Sequence, residues 1–287
     1  MPIILNHVNC IYDADTKLPV HALEDVSLVF HEGEFAAVIG HTGSGKSTLV
    51  QHLIGLIKPS SGEIYYNGQD IWEKGYSRKE LRSHVGLVFQ YPEHQLFETS
   101  VFEDVCFGPK NLGLDRKEQE LRAYDALRMV KLPEELYFQS PFALSGGQKR
   151  RAAIAGVLAM HPDFLILDEP TAGLDPAGRD DILDMVSGMQ KEKGISVLLV
   201  SHSMEDVAKY AQRLIVMEKG KVAFDAPPKE VFRHYKRLEE MGLAAPQVVY
   251  IMDALREAGL PVSNEVSTVQ EARDEILRHI TRRQDVS

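Results

Sequence analysis

Uninterrupted apolar runs, each closed by a turn or a charged pair, are the first pattern along this chain. Residues 34–39 form one such run, ending at Gly40, and predict a buried strand. Residues 85–90 predict another. Residues 164–167 and 196–200 repeat the pattern and stop at Asp168-Glu169 and at Ser201-His202. Strands with so little polar alternation suit a central parallel sheet covered on both faces. Two hairpins flank them: residues 63–66 and 70–71 joined by Asn67-Gly68, and residues 214–217 and 222–224 joined by Glu218-Lys219-Gly220-Lys221.

Helical periodicity appears elsewhere. Leu49, Leu53 and Leu56 predict a helix after the first run, stopped by Pro59. From about residue 91 to about residue 160 the chain reads as mostly helical, with loops near Pro109 and Pro141. Beyond Pro227-Pro228 the texture changes. Val248, Ile251, Met252 and Leu255 follow the spacing of an amphipathic helix. Thr268 and Glu271 have capping-box spacing ahead of Ala272, Ile276 and Ile280. These segments predict a small helical appendage over residues 236–287, behind a main domain over residues 1–235. The appendage's apolar stripes are expected to pack on each other; a subunit contact is the alternative.

Bulk properties narrow the class. The chain has 287 residues, 44% apolar and 26% charged, enough for a large α/β domain with a sizeable core. No apolar run approaches the ~20 residues of a membrane helix; the longest, residues 152–160, is too short and too rich in small residues. The N-terminus lacks a charged-then-apolar leader, so a cytosolic location is expected. Net charge is −10, which argues against a nucleic-acid partner. Lys149-Arg150-Arg151 and Arg282-Arg283 read as solvated helix faces. Cys10 and Cys106 have no metal-ligand or redox spacing and read as two reduced thiols packed inside.

The candidate chemistry starts at Gly40-His41-Thr42-Gly43-Ser44-Gly45-Lys46-Ser47, followed by Thr48. This is the phosphate-loop pattern, placed between a strand and a helix. Glycines let successive N–H groups turn inward as an anion nest, and the following helix adds its positive end. Lys46 would supply charge to the β- and γ-phosphates of ATP. Ser47 would be one of the few protein ligands of Mg²⁺, which keeps most of its waters. Asp168 would complete the Mg²⁺ site, directly or through water. Glu169 would orient and polarise the attacking water.

A second anion site is predicted at Leu144-Ser145-Gly146-Gly147-Gln148, a Ser-Gly-Gly-Gln loop opening a helix. One ATP has no use for two such loops in one chain. With these motifs in this order, residues 3–235 resemble an ATP-binding-cassette (ABC) ATPase, a P-loop α/β fold with an antiparallel subdomain and a helical subdomain. The resemblance implies that residues 145–148 close over the ATP held by a second ATPase chain. It implies that Gln90, at the end of its strand, senses Mg²⁺; that Thr171-Ala172-Gly173-Leu174-Asp175 sends Asp175 across the dimer; and that His202 contacts the γ-phosphate. It places Tyr12 under the adenine, beside a polar loop over residues 13–17.

Tyr91-Pro92-Glu93-His94-Gln95-Leu96-Phe97, with the segments Val101-Phe102-Glu103-Asp104-Val105 and Phe107-Gly108-Pro109-Lys110-Asn111-Leu112-Gly113, resembles energy-coupling-factor (ECF) transporter ATPases. The likeness leans to the second of the two ATPase types in vitamin importers, with cobalt and nickel importer ATPases as the near alternative. It implies an integral membrane coupling subunit docked after Gln90, a membrane substrate-binding component, a paralogous ATPase partner, and a peripheral position on the cytoplasmic face of the cell membrane. A soluble ABC protein acting on DNA or ribosomes is the rival class; the single cassette, the lack of a long coiled-coil insertion and the acidic balance disfavour it.

Overall fold

A computed structural model describes residues 2–16 and 18–284, with the side chains of residues 280–284 outside the description. The Lys17 end of the polar loop, and the Ile280 and Arg282-Arg283 side chains, therefore lie outside the described residues. Two sheets organise the chain. The first is antiparallel, in the order β2-β1-β4-β5, from β1 (Ile3–Tyr12), β2 (Val20–Phe30), β4 (Ser61–Tyr66) and β5 (Gln69–Asp70). The second has six strands, in the order β10-β9-β3-β8-β7-β6. It comprises β3 (Phe35–Ile39), β6 (Val85–Val88), β7 (Phe164–Asp168), β8 (Ser196–Val200), β9 (Arg213–Glu218) and β10 (Lys221–Ala226). The first five of these run parallel; β10 closes one edge as an antiparallel hairpin with β9.

The parallel strands are apolar throughout because each face has its own core. Ala36, Val38, Ile166, Leu198 and Val200 pack towards the antiparallel sheet and α1 (Lys46–Leu53). Phe35, Ala37, Leu165, Leu167, Val197 and Leu199 pack on the opposite side, with α5 (Gly146–Leu158) and α6 (Pro176–Lys193). Successive side chains alternate between two buried layers, so polar residues such as Ser196, Asp168, Arg213 and Glu218 fall at strand ends.

The helix α1 is shorter than its leucine spacing predicts. Gly55 takes a left-handed conformation, φ 64°, and Leu56 N–H donates to Gln51 O at 2.9 Å. That turn closes the helix at Leu53 and leaves Leu56 48% exposed, so Leu56 is not part of the buried stripe. Leu49 and Leu53 are fully buried.

The helical subdomain is built from α3 (Val101–Asn111), α4 (Arg116–Met129) and α5, set against the edge of the sheet near β6. Ser100 and Asp115 cap the first two by accepting from Glu103 N and Glu118 N. Pro109 lies inside α3 rather than in a loop. It sits in the last turn, where its missing N–H removes a single ladder bond. Before α3, the short helix α2 (Arg78–His84) feeds β6.

After β8, α7 (Met204–Tyr210) returns along the sheet. Next come α8 (Pro228–Arg233) and, across the expected appendage, α9 (Tyr235–Glu240), α10 (Gln247–Glu257) and α11 (Val269–Gln284). Thr268 Oγ1 accepts from Glu271 N, and Glu271 accepts from Thr268 N, completing the capping box at α11. The inward face of α10 is Val248, Val249 and Met252; Ile251 points out, 54% exposed. These residues, with Val262, Val266 and Ala272, join the same core cluster as Met204, Val207 and Tyr210 of α7. The appendage thus packs on the cassette as well as on itself.

One buried group on α1 makes stability depend on pH. His52 is fully buried, donates Nδ1–H to Thr48 O at 2.7 Å, and has no partner at Nε2 among the described residues. Burial pushes its pKa down, against the Thr48 carbonyl. The unfolded chain takes up a proton near pH 6.5 that the folded chain does not, so stability is lost as pH falls through that value. Between pH 7.5 and 5.5, His52→Leu should lose less stability than the unsubstituted chain, read from urea midpoints.

Candidate functional site

The phosphate loop, Gln90, Asp168-Glu169 and His202 all leave the second sheet at the C-terminal ends of its parallel strands, while Tyr12 comes from the end of β1 in the antiparallel sheet. Strand β3 delivers Gly40, and the loop turns back tightly over it. A Cβ at Gly40 would lie 2.4 Å from Ser44 Oγ and 2.5 Å from Met217 O; one at Gly45 would lie 2.5 Å from Ala22 O. These two glycines are required by close approach. Gly43, φ 81°, faces open space and is required only by its conformation.

The helix α1 begins at Lys46 with no side-chain cap and no acidic residue in its first turn. Its free N–H groups and helix dipole are therefore available to an anion. Ser44 Oγ is buried and, among the described residues, without a hydrogen-bond partner. Lys46 Nζ folds back to donate to Gly40 O at 2.6 Å and His41 O at 3.1 Å. Burial pushes the Lys46 ammonium below its ordinary range, while Glu169 and then Asp168 act the other way. His41 Nδ1 lies 2.7 Å from Thr42 O, and Ser47 is exposed at the loop's mouth. An uncapped helix end, an orphan hydroxyl and a lysine bonded to the loop's own carbonyls fit a triphosphate. Tyr12 closes the side of this loop, its hydroxyl 3.3 Å from Thr48 Oγ1.

Strands β7 and β8 pair in parallel with Asp168 opposite Val200, so Glu169 and His202 emerge side by side. Glu169 Oε1 lies 2.8 Å from His202 Nε2, and Glu169 Oε2 accepts from Gln90 Nε2 at 3.1 Å. The Glu169 backbone is left-handed, φ 49°, with its N–H on Val200 O at 2.9 Å. A glutamate in that region is strained, and the strand pairing holds it there. Asp168 is pushed up, first by burial and then by Glu169, against Lys46 and His202. This acidic pair facing one lysine suits a divalent cation, for which Asp168 and Ser47 would be the oxygen donors. Gln90 does not end its strand: β6 stops at Val88, and Gln90 lies two residues beyond, free to reach Glu169.

Residues 145–148 sit apart from this cluster. Ser145 Oγ accepts from Gln148 N at 3.4 Å, and Gln148 Oε1 accepts from Ser145 N at 2.9 Å, a reciprocal cap on α5. A Cβ at Gly146 or Gly147 would meet nothing within 4 Å. Among the described residues, no hydrogen bond or ion pair joins this loop to residues 40–48 or to Glu169. Asp175 caps α6, its Oδ1 accepting from Gly178 N at 2.7 Å.

The basic triplet beside this loop is not a solvated face. Arg150 is 2% exposed; its Nε and Nη2 donate to Glu93 Oε2 and Oε1 at 3.1 and 2.8 Å, and its Nη1 donates to Ala172 O at 2.8 Å. Burial pushes Glu93 up, and the Arg150 fork more than offsets it, holding the carboxylate below its ordinary range. Arg151 bonds Val130 O and Asp181. A signal was present: Arg150 precedes Ala153, Ile154 and Leu158 at helical spacing, on the face that packs inward.

A strand-ending phosphate loop, an acidic pair on the neighbouring-but-one strand and a second, outward anion loop define an ATP-hydrolysing cassette. A family model described as ABC transporter matches residues 23–172. The energy-coupling factor transporter ATP-binding protein EcfA2 of Caldanaerobacter subterraneus subsp. tengcongensis is 51% identical over 280 residues, 98% of this chain and 98% of the relative. The solved structure of cbiO1 from Clostridium perfringens, part of the ABC transporter complex cbiONQ, is 40% identical, with a TM-score of 0.73, covering 88% of this chain and 98% of that one. A dimeric post-hydrolysis structure of the ATP-binding cassette MJ0796, bound to ADP and Pi, is 29% identical with a TM-score of 0.68, covering 79% and 98%. The chain belongs to the ABC transporter family and, within it, to the energy-coupling factor ATP-binding proteins of the second ATPase type.

Among the described residues Lys46 hydrogen-bonds only its own loop's carbonyls, so its loss should spare the fold. Lys46→Ala should weaken ATP binding about 10-fold or more, measured by titration calorimetry, with the thermal midpoint nearly unchanged.

Proposed function

We infer that this chain powers an energy-coupling factor importer by hydrolysing Mg-ATP at Glu169. The observation that carries the reading is the Glu169 carboxylate, held between Gln90 Nε2 and His202 Nε2 at 3.1 and 2.8 Å. The N–H groups of residues 40–48 and the Lys46 ammonium bind the phosphates, and Tyr12 supports the adenine. Ser47 and Asp168 would hold Mg²⁺, with Gln90 as its sensor, and the bound ion would neutralise charge on the β- and γ-phosphates. Glu169 orients a water and takes its proton as the water oxygen bonds the γ-phosphorus. The bond to the β–γ bridging oxygen breaks, and ADP keeps that electron pair. His202 steadies the γ-phosphoryl oxygens.

The other half of each site comes from a second ATPase chain. Glycines in the first turn of α5 cost helix stability, about 0.5–1 kcal/mol each against alanine. Their local surroundings would accept a Cβ. Close approach of a nucleotide held by a partner accounts for them, with Ser145, Gly146, Gly147 and Gln148 donating to its γ-phosphate and Asp175 reaching across. The partner is a paralogue, and exposed Ile251, Val269 and Leu277 of the appendage (residues 236–287) contribute to that contact. If the mechanism is right, Glu169→Gln should keep ATP affinity but lower turnover about 100-fold or more, in a phosphate-release assay of the reassembled complex; normal turnover would overturn it.

The transport partner docks on the helical subdomain. A cavity of about 480 Å³ opens between α3 and α5, lined by Phe97, Phe107, Gly108, Leu112, Ala153 and Met160 among others. Phe97 is 58% exposed and packs edge-on to Phe107, ring centroids 4.9 Å apart. An apolar groove of this form suits a coupling helix of an integral membrane subunit. Among the described residues no helix is long and apolar enough to cross a membrane. Docking on such a subunit would hold the chain peripherally, at the cytoplasmic face of the cell membrane. Cargo, a vitamin or other micronutrient, is selected by a membrane substrate-binding component. A cobalt or nickel importer is the second reading, from the resemblance carried by residues 91–113. Phe97→Glu should abolish co-purification with the membrane subunit while ATP affinity stays within about 3-fold.

A further inference from the structure

Arg150 stands where three functional segments meet. It lies five residues past Ser145, in the second turn of α5. Its bidentate partner Glu93 belongs to the 3-10 turn Pro92–Gln95, which follows Gln90 by way of a left-handed Tyr91 at φ 55°. Its third hydrogen bond goes to Ala172 O, and Ala172 N–H donates to Glu169 O at 3.2 Å. One planar cation thus joins the signature helix, the Gln90 segment and the turn that carries Glu169.

The residue type matters. A guanidinium offers a rigid fork plus a third N–H at a fixed angle; a lysine offers one compact point charge. Stability alone gives no reason for this choice, because replacing a buried ion pair by apolar side chains is often neutral or stabilising. The neighbours Ala153, Ile154 and Leu158 show that this face of α5 otherwise packs as an apolar stripe. An arginine fixed there specifies geometry between elements rather than adding cohesion.

We propose that Arg150 is a positioning residue that couples the signature helix and the Gln90 segment to the Glu169 carboxylate, so that α5 cannot move without resetting the hydrolytic turn. The proposal rests on Glu169 being the hydrolytic carboxylate. When α5 closes on a partner's nucleotide, or when a membrane subunit moves residues 91–97, the displacement reaches Ala172 and then Glu169 through one side chain. A shift of about 1 Å at a reacting group can cost about 100-fold in rate, so loosening this joint acts on turnover more than on binding.

The test compares Arg150→Lys, Glu93→Gln and the double variant in the reassembled complex; Arg150→Ala would strand the partly buried Glu93 and report on folding. Each single variant should lower kcat about 10-fold or more while the ATP dissociation constant changes less than about 3-fold, with little change in the thermal midpoint. The double variant should be no worse than the singles, because both break one joint. A wild-type kcat in Arg150→Lys, or a kcat loss matched by equal losses of ATP affinity and thermal stability, overturns the proposal. Glu169→Gln runs alongside: wild-type turnover there means the Glu169 reading itself has failed. An inactive Glu169→Gln with a normal Arg150→Lys means that only the coupling role has failed.

Discussion

Burial of five parallel strands on both faces is the constraint from which the rest follows. The strands β3, β6, β7 and β8 have no solvent-facing side, so polar residues are confined to their ends. All four end at one edge. Gly40, Gln90, Asp168 with Glu169, and His202 gather there because their strands are packed in register. Ligand sites at the carboxyl ends of parallel strands are a general result of such sheets, and here that edge also receives the N-terminal end of α1.

That edge concentrates unfavourable features that a purely structural element would avoid. The start of α1 is uncapped, Ser44 Oγ is buried without a partner, Glu169 is held left-handed, and Asp168 and Glu169 lie side by side. The sheet sustains them because its two cores are continuous and apolar. In an ABC ATPase each of these features has a counterpart in Mg-ATP: phosphate oxygens for the free N–H groups and the hydroxyl, and a divalent cation for the carboxylates. The folded chain keeps donors and charges unpaired for a ligand that supplies what is missing.

The helical subdomain and the appendage convert this edge into a mechanical part. α5 presents its glycine-rich first turn outward while its next turn is fastened inward through Arg150. Between α3 and α5 the apolar groove lies close to the segment that follows Gln90. The appendage packs on α7, the helix that begins just after His202, so the C-terminal helices and the catalytic edge share one core.

The phosphate loop, the acidic pair, the Ser-Gly-Gly-Gln loop and the parallel strands were legible from sequence because each depends on neighbours within a few residues. Glycines at fixed spacing allow one loop shape, and an unbroken apolar run needs two covered faces. Leu56, Pro109 and Ile251 were misplaced by periodicity because a glycine turn, a tolerated last-turn proline and a rotated helix face are settled by packing, not spacing. Arg150 was misjudged for a stronger reason. Its burial depends on Glu93 and Ala172, 57 and 22 residues away, which only the folded chain brings to it. Sequence alone determined what chemistry the chain carries. Tertiary structure decided which of those groups touch: helical spacing marks the Arg150 face as inward, but nothing local names Glu93 and Ala172 as its partners.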